Sequence, residues 1–170
     1  MKKILLSIAI FLLTVNITRA ADMGGLGIYP ANPDPDIPLS SSWFIYNLVP
    51  GEEKQDVVNI QNTSEETLTA KVYPVDATTT ADGAFALLDE KENKEDMGAW
   101  VKLPISEITL APGESRQVPF TVRIPADAST GSHLGGIVIQ NLQVKEGKGV
   151  NIVTRVGVRI YETVPGNLVR

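Results

Sequence analysis

The sequence predicts an all-β protein, an immunoglobulin-like antiparallel β-sandwich of about eight or nine short strands. Three observations carry this reading. Short runs alternate apolar and polar side chains with period two, turn signals recur about every 8 to 15 residues, and no stretch shows helical periodicity.

The first residues come before the fold. Lys2 and Lys3 precede an apolar run from Ile4 to Val15, and small residues follow in "TRAAD". That order is a secretory signal peptide, residues 1–20, with cleavage expected between Ala20 and Ala21 and Thr18 at the minus-three position. The run falls short of the ~20 apolar residues of a membrane span, and nothing after Val15 is long or apolar enough to make one. No Cys follows the run, which excludes a lipid-anchored lipoprotein, and "LPISE" at Leu103 is not a sortase-type signal. The expected location is extracellular, where the chain either diffuses away or is held by non-covalent binding; residence in the cell wall or at the cell surface is an expectation that only a family resemblance supplies.

Composition narrows the function. The chain has no Cys, so an exported domain of about 150 residues must be held by its hydrophobic core. Against 20 acidic residues stand 15 basic ones, three of them (Lys2, Lys3, Arg19) in the signal. Such an acidic chain does not suit nucleic acid or an anionic membrane surface.

Taken in order, residues 21–42 read as an extended Pro-rich lead-in, since Pro33, Pro35 and Pro38 restrict their neighbours, and regular structure is expected from "WFIYNL". The sandwich proper is assigned to residues 43–162. Val58 and Ile60 share a face; Leu68, Ala70 and Val72 alternate with Thr67, Thr69 and Lys71. Asp82-Gly83 is a two-residue hairpin signal. "DEKENKED", Asp89 to Asp96, is a solvated loop, after which "AWVKL" and "SEITL" are short strands. In "SRQVPFTVRIP" Val118, Phe120, Val122 and Ile124 point one way, and Pro119 marks an edge or a bulge. After "GGIVIQNLQV" and the "KEGKG" turn, Val150, Ile152, Val156, Val158 and Ile160 face away from Arg155 and Arg159.

One phrase occurs twice: "LVPGEEKQDVVNIQN" from Leu48 and "LAPGESRQVPFTVRIP" from Leu110. The copies read as analogous edges or corners of two packed sheets. Chance is the alternative, because ~60 residues is long for a tandem repeat. Val164-Pro165-Gly166 opens the phrase again, so residues 163–170 are read as the start of a further domain expected beyond Arg170.

Catalytic equipment is not visible. His133, the single His, sits beside Ser132 in "GSHLGG", which is no Gly-x-Ser-x-Gly elbow. One His does not make the usual zinc site, and "NPDPD" fails as a calcium loop because its sixth position is Ile37 and its twelfth Trp43. Neither a metal nor another cofactor is expected. Asn62-Thr63-Ser64 matches a glycosylation sequon. Trp43 and Trp100 can stack on a sugar face, although Trp in "WFIY" and "AWVKL" commonly packs. Arg155 and Arg159 can meet an anionic partner. These four are the candidate ligand-binding residues.

In their order, Phe44, Tyr46, Pro50-Gly51, Asn59, Asn62, "YPVDA" from Tyr73, Asp82-Gly83, Trp100, Pro112-Gly113, Val118-Pro119-Phe120, Ile124-Pro125, Ala128, Gly131 and Gly135-Gly136-Ile137 resemble the WxL-interacting protein family, specifically its N-terminal peptidoglycan-binding domain. The resemblance runs from about Leu26 to Ile160. It implies an immunoglobulin-like, non-enzymatic surface module that binds peptidoglycan and associates with WxL-type surface proteins or with host and matrix proteins. The family's partner-binding domain and C-terminal membrane segment have no counterpart in this sequence. The rival readings are a structural or adhesive scaffold that binds a protein by strand addition, and a hydrolase with paired acids.

Overall fold

The computed structural model describes residues 25–142 and 153–166. The expected signal segment with Ala20 and Ala21, the expected "KEGKG" turn, Val150 and Ile152 lie outside the described residues. Within them the chain forms β1 (Leu26–Pro30), β2 (Trp43–Tyr46), β3 (Glu53–Asn62), β4 (Leu68–Thr79), β5 (Phe85–Leu87), one helical turn α1 (Met97–Trp100), β6 (Val101–Lys102), β7 (Glu107–Leu110), β8 (Ser115–Arg123), β9 (Gly131–Asn141) and β10 (Arg155–Val164). A four-stranded sheet in the order β1-β3-β8-β6 packs on a larger one in the order β2-β10-β9-β4-β5, with β7 also paired to β4. The pairings are antiparallel apart from β2 with β10, which is parallel.

Period-two alternation builds the core. Val58, Ile60, Val118, Phe120, Val122 and Ile124 from the small sheet meet Phe44, Val72, Ile137, Ile139, Val158 and Ile160 from the large one, all buried. Phe44 and Phe120 meet edge to face across the layers, centroids 4.9 Å apart. Each such side chain contributes about 1.5–3 kcal/mol by leaving water, and without cysteines this packing carries the fold.

The lead-in differs from the expected extended segment. Leu26–Pro30 is already a strand, paired with β3 from Asn62 back to Val58. Residues 34–42 are then a chain of turns: the amides of Ile37, Ser40 and Trp43 bond to the carbonyls of Asp34, Ile37 and Leu39. Asp34 caps its own turn by accepting the Asp36 amide at 2.9 Å. The physical reason is that Pro33, Pro35 and Pro38 favour turns as much as extension. "AWVKL" also differs, because Trp100 closes a helical turn and only Val101–Lys102 is strand. Asp76 explains this: its buried carboxylate collects the amides of Glu95, Asp96 and Gly98 at 2.5–3.1 Å and so winds the backbone there. The Asp82-Gly83 hairpin forms, but with a five-residue loop, since pairing stops at Thr79 and Phe85; Gly83 takes the left-handed φ of 83°.

The repeated phrase has a geometric meaning other than corners of two sheets. Its two strands, β3 and β8, are antiparallel neighbours within one sheet, with Val57 opposite Pro119 at the centre. Each Pro-Gly turn abuts the far end of the other copy: Ile124 N–H donates to Glu52 O at 2.9 Å, and Asn62 N–H to Glu114 O at 2.9 Å. The turns match in detail. Gly51 and Gly113 have φ of 84° and 71°, and Glu52 and Glu114 accept the amides of Val49 and Ala111 at 2.9 and 2.8 Å. A local two-fold axis thus passes between Val57 and Pro119. Gly166 is not among the described glycines with positive φ, so Val164-Pro165-Gly166 does not repeat this turn.

Those bonds also fix which way the backbone points. Even-numbered residues of β8 bond to β3, so the missing donor of Pro119 faces away from β3 at no loss to that ladder. On the opposite flank Ala31 N–H donates to Val57 O, so odd-numbered residues of β3 face β1, and Pro30 in turn points outward.

Candidate functional site

The outer face of the large sheet holds an aromatic cluster around one guanidinium. On β10 the odd positions Arg159 and Tyr161 point outward, and parallel pairing sets Trp43 of β2 directly beside Arg159. The Arg159 guanidinium lies 5.2 Å from the Trp43 ring and 4.6 Å from that of Phe85. Tyr161 closes the group at 5.3 Å from Trp43 and 5.5 Å from Phe85. An Arg159 Nη1–H reaches the Tyr161 hydroxyl at 3.4 Å. All four side chains are half-buried, so each keeps an accessible edge.

Phe85 arrives there because the β4–β5 hairpin folds over the sheet. Leu87 lies on a floor made by Gly136 and Gly157, where any Cβ would strike it. With Tyr73, Val75 and Val138 it forms a small second core on this outer face. Arg155 ties the same hairpin down through Asp89 and the Leu88 carbonyl.

Around the edge of β2 an open groove of about 290 Å³ begins at Trp43. It runs between the 34–42 turns and the first half of β3, and Asn32, Asp34, Lys54, Gln55 and Asp56 line it beside Tyr46. The Tyr46 hydroxyl donates to Asp56 Oδ2 at 2.8 Å; burial, then the Asp56 charge, drives its pKa upward, so it stays a donor. Lys54 sits over the same ring at 5.5 Å. Trp43 therefore borders both an aromatic platform and a polar trough, the combination that holds a sugar ring by its face and its hydroxyls.

Of the four sequence candidates, the structure brings Trp43 and Arg159 together. Trp100 is in the core, 9 % exposed, against the His133 ring at 4.6 Å; it has no free face for a ligand, because α1 plugs it between the sheets. Arg155 is engaged by the hairpin. Sequence reasoning missed Tyr161 and Phe85. Tyr161 follows Arg159 by two residues on one strand face and was readable by that rule; Phe85 depends on the folding over of a hairpin, for which no local signal exists.

The other sequence motifs are structural. His133 and Ser132 point to opposite faces of β9, and both ring nitrogens are taken: Nε2 by the Ser129 carbonyl at 2.8 Å and Nδ1 by Asp96 at 2.7 Å. Asn62 of the sequon is fully buried. Its amide nitrogen donates to the carbonyls of Glu66, Leu110 and Ala111, and its oxygen accepts from Ser64, so it pins two turns together. Among the described residues no group of three or more His, Cys, Asp or Glu is placed to hold a metal.

The comparisons with known proteins agree with this architecture. No curated protein matches the sequence. Among solved structures the chain is similar to the ASH/PapD-like domain 7 of human CEP192, with a TM-score of 0.50 at 10 % identity over 94 % of this chain and 98 % of that one. It is also similar to a family 123 glycoside hydrolase from Clostridium perfringens, TM-score 0.53 at 11 % identity, over 82 % of this chain but 27 % of that one. A third is the E. coli chaperone DraB, TM-score 0.50 at 11 % identity, over 82 % of this chain and 55 % of that one. At these identities the likeness shows an immunoglobulin-like, PapD-like sandwich and nothing of activity. The family described as WxL Interacting Protein, peptidoglycan binding domain, matches residues 27–141. The match includes Trp43 and Phe85 but stops before β10, short of the resemblance that runs on to Ile160. Since it spans more than half of the chain, the protein belongs to the WxL-interacting protein family through its peptidoglycan-binding domain.

Proposed function

We propose that this chain is a non-enzymatic module of the cell surface that holds peptidoglycan across Trp43, with the Trp43–Phe85–Tyr161 platform on one side and the polar groove on the other. The observation that carries the reading is the position of Trp43, half-exposed and shared by both surfaces. The sugar ring stacks on the indole while Asn32, Asp34 and Lys54 bond its hydroxyl and acetamido groups, and nothing in this scheme requires turnover. Export and residence at the wall belong to the same proposal. A second reading, association with a surface protein by strand addition, has one observation in its favour: the bonds from the β1 side reach β3 no further toward its start than Val57, so Lys54–Asp56 is open to the groove.

The test is retention of the chain from Ala21 to Arg170 on purified sacculi freed of teichoic acid. Trp43→Ala should lower retention by about tenfold or more, one stacking contact being worth roughly 1–3 kcal/mol, and should leave thermal stability close to that of the parent. Trp100→Ala should do the reverse, losing about 3–5 kcal/mol of stability while the folded fraction still binds. No retention by the folded parent would overturn wall binding in favour of the protein-partner reading.

A further inference from the structure

Four arginines fall among the described residues, and three of them have a carboxylate partner: Arg116 with Glu114, Arg123 with Glu53 and Arg155 with Asp89. Arg159 has none among the described residues. Its hydrogen-bond partner there is the neutral Tyr161 hydroxyl. It is also half-buried, its faces occupied by Trp43 and Phe85, so part of its hydration has been given up without an anion to replace it. An acidic chain, net −5 overall, has carboxylates in excess, yet among the described residues none is set against this guanidinium. The stacking rings hold the planar fork in one orientation, which is the arrangement that favours bidentate capture of a carboxylate.

We infer that Arg159 is the anion-recognising residue of the wall-binding surface, taking a carboxylate that the polymer carries next to the sugar stacked on Trp43. The inference rests on the wall-binding reading and deepens it: the ligand is the carboxylate-bearing part of peptidoglycan and not a neutral amino-sugar chain. Two sources supply that chemistry: the carboxylates of the stem peptide, and the lactyl group of muramyl residues that carry no stem peptide, since an attached peptide ties up the lactyl carboxyl as an amide.

The experiment compares parent, Arg159→Gln and Arg159→Lys on three probes: teichoic-acid-free sacculi, the glycan strands released from them when amidase removes the stem peptides, and neutral chito-oligosaccharides. The parent should bind sacculi about tenfold to a hundredfold more tightly than chito-oligosaccharides, the range of one charge-assisted contact. Arg159→Gln should lose most of that difference, its affinity for sacculi falling toward its affinity for chito-oligosaccharides. Arg159→Lys, which keeps the charge without the fork, should fall between, and it carries the test if the Gln variant fails to fold. Binding of the released strands at sacculus strength, lost in Arg159→Gln, assigns the lactyl carboxylate, and weak binding of them assigns the stem peptide. Equal binding of sacculi by parent and Arg159→Gln overturns the inference while leaving wall binding intact, as does equal parent affinity for sacculi and chito-oligosaccharides. Absence of any binding by the parent overturns the wall-binding reading and this inference together.

Discussion

Glu162 faces the interior of the sandwich with only 1 % of its surface exposed. One carboxyl oxygen accepts the Leu48 amide at 2.7 Å, and the other has no partner among the described residues. Burial, above all, raises its pKa; the Leu48 bond and the His133 charge oppose this, and Glu52 adds to it. Asp96 on the far side of His133 is raised for the same main reason, and Tyr46 and Asp56 are the other ionisable groups at this end of the core. A carboxyl whose pKa is higher in the folded than in the unfolded state holds its proton more tightly when folded. Its stabilising contribution is complete below about pH 4.5, the ordinary value, and is lost as pH rises through the folded pKa. Glu162→Gln removes this titration while Asp96 keeps its own. The variant should therefore gain stability relative to the parent between pH 5 and 7.5, by on the order of 1 kcal/mol, measured by denaturant unfolding at each pH. A constant difference across that range would show that Glu162 is ionised in the folded protein throughout. Nothing local distinguishes this Glu in "RIYETV". Its inward position followed from alternation with Val158 and Ile160, whereas its orphaned oxygen depends on where the chain after β2 passes.

At the scale of elements, alternation made β8, β10 and the first half of β4 legible, because each turns one face to the core and one to solvent. It was uninformative where a second layer covers the outer face. Tyr73 and Val75 are buried there beneath the β5 hairpin, beside the inward-facing Val72, and this run hides the period. The repeated Pro-Gly phrase was likewise visible, but pairing of its two strands in one sheet is a tertiary choice that local turn chemistry does not encode. The hairpin itself supplies a prediction. A methyl at Gly157 would collide with a Leu87 methyl and press on Val138, so Gly157→Ala should cost about 1–3 kcal/mol by overpacking. It should also weaken retention on sacculi, because displacing Leu87 lifts Phe85 from the Trp43–Arg159 cluster. Leu87→Ala in the same chain makes room for the methyl. The double variant should then be less destabilised than the sum of the singles, a coupling of about 0.5–3 kcal/mol in a double-mutant cycle. Additive effects would show that the hairpin rests on the sheet by other contacts.

For the whole molecule, a sandwich without disulfides has to prevent its open sheet edges from pairing with other copies. The small sheet ends at β1 on one flank. On the other, β6 covers β8 only at Thr121 and Val122, leaving the earlier part of β8 without a paired strand on that side. The backbone parity set by the β3 ladders places Pro30 and Pro119 so that the N–H each lacks is the one that would face an incoming strand. Neither proline interrupts a bond inside the sheet, so their exchange should be nearly neutral for the monomer and act on association alone. Pro30→Val, apolar because Pro30 is buried, with Pro119→Thr at an exposed position should fold with stability within about 1 kcal/mol of the parent, Val and Thr being at home in strands. It should also show a concentration-dependent shift toward dimers or larger species in sedimentation velocity, where the parent stays monomeric. If the double variant sediments as the parent does at every concentration, the edges are guarded by other means, and the charged side chains along them, such as Lys102 and Arg116, become the next candidates.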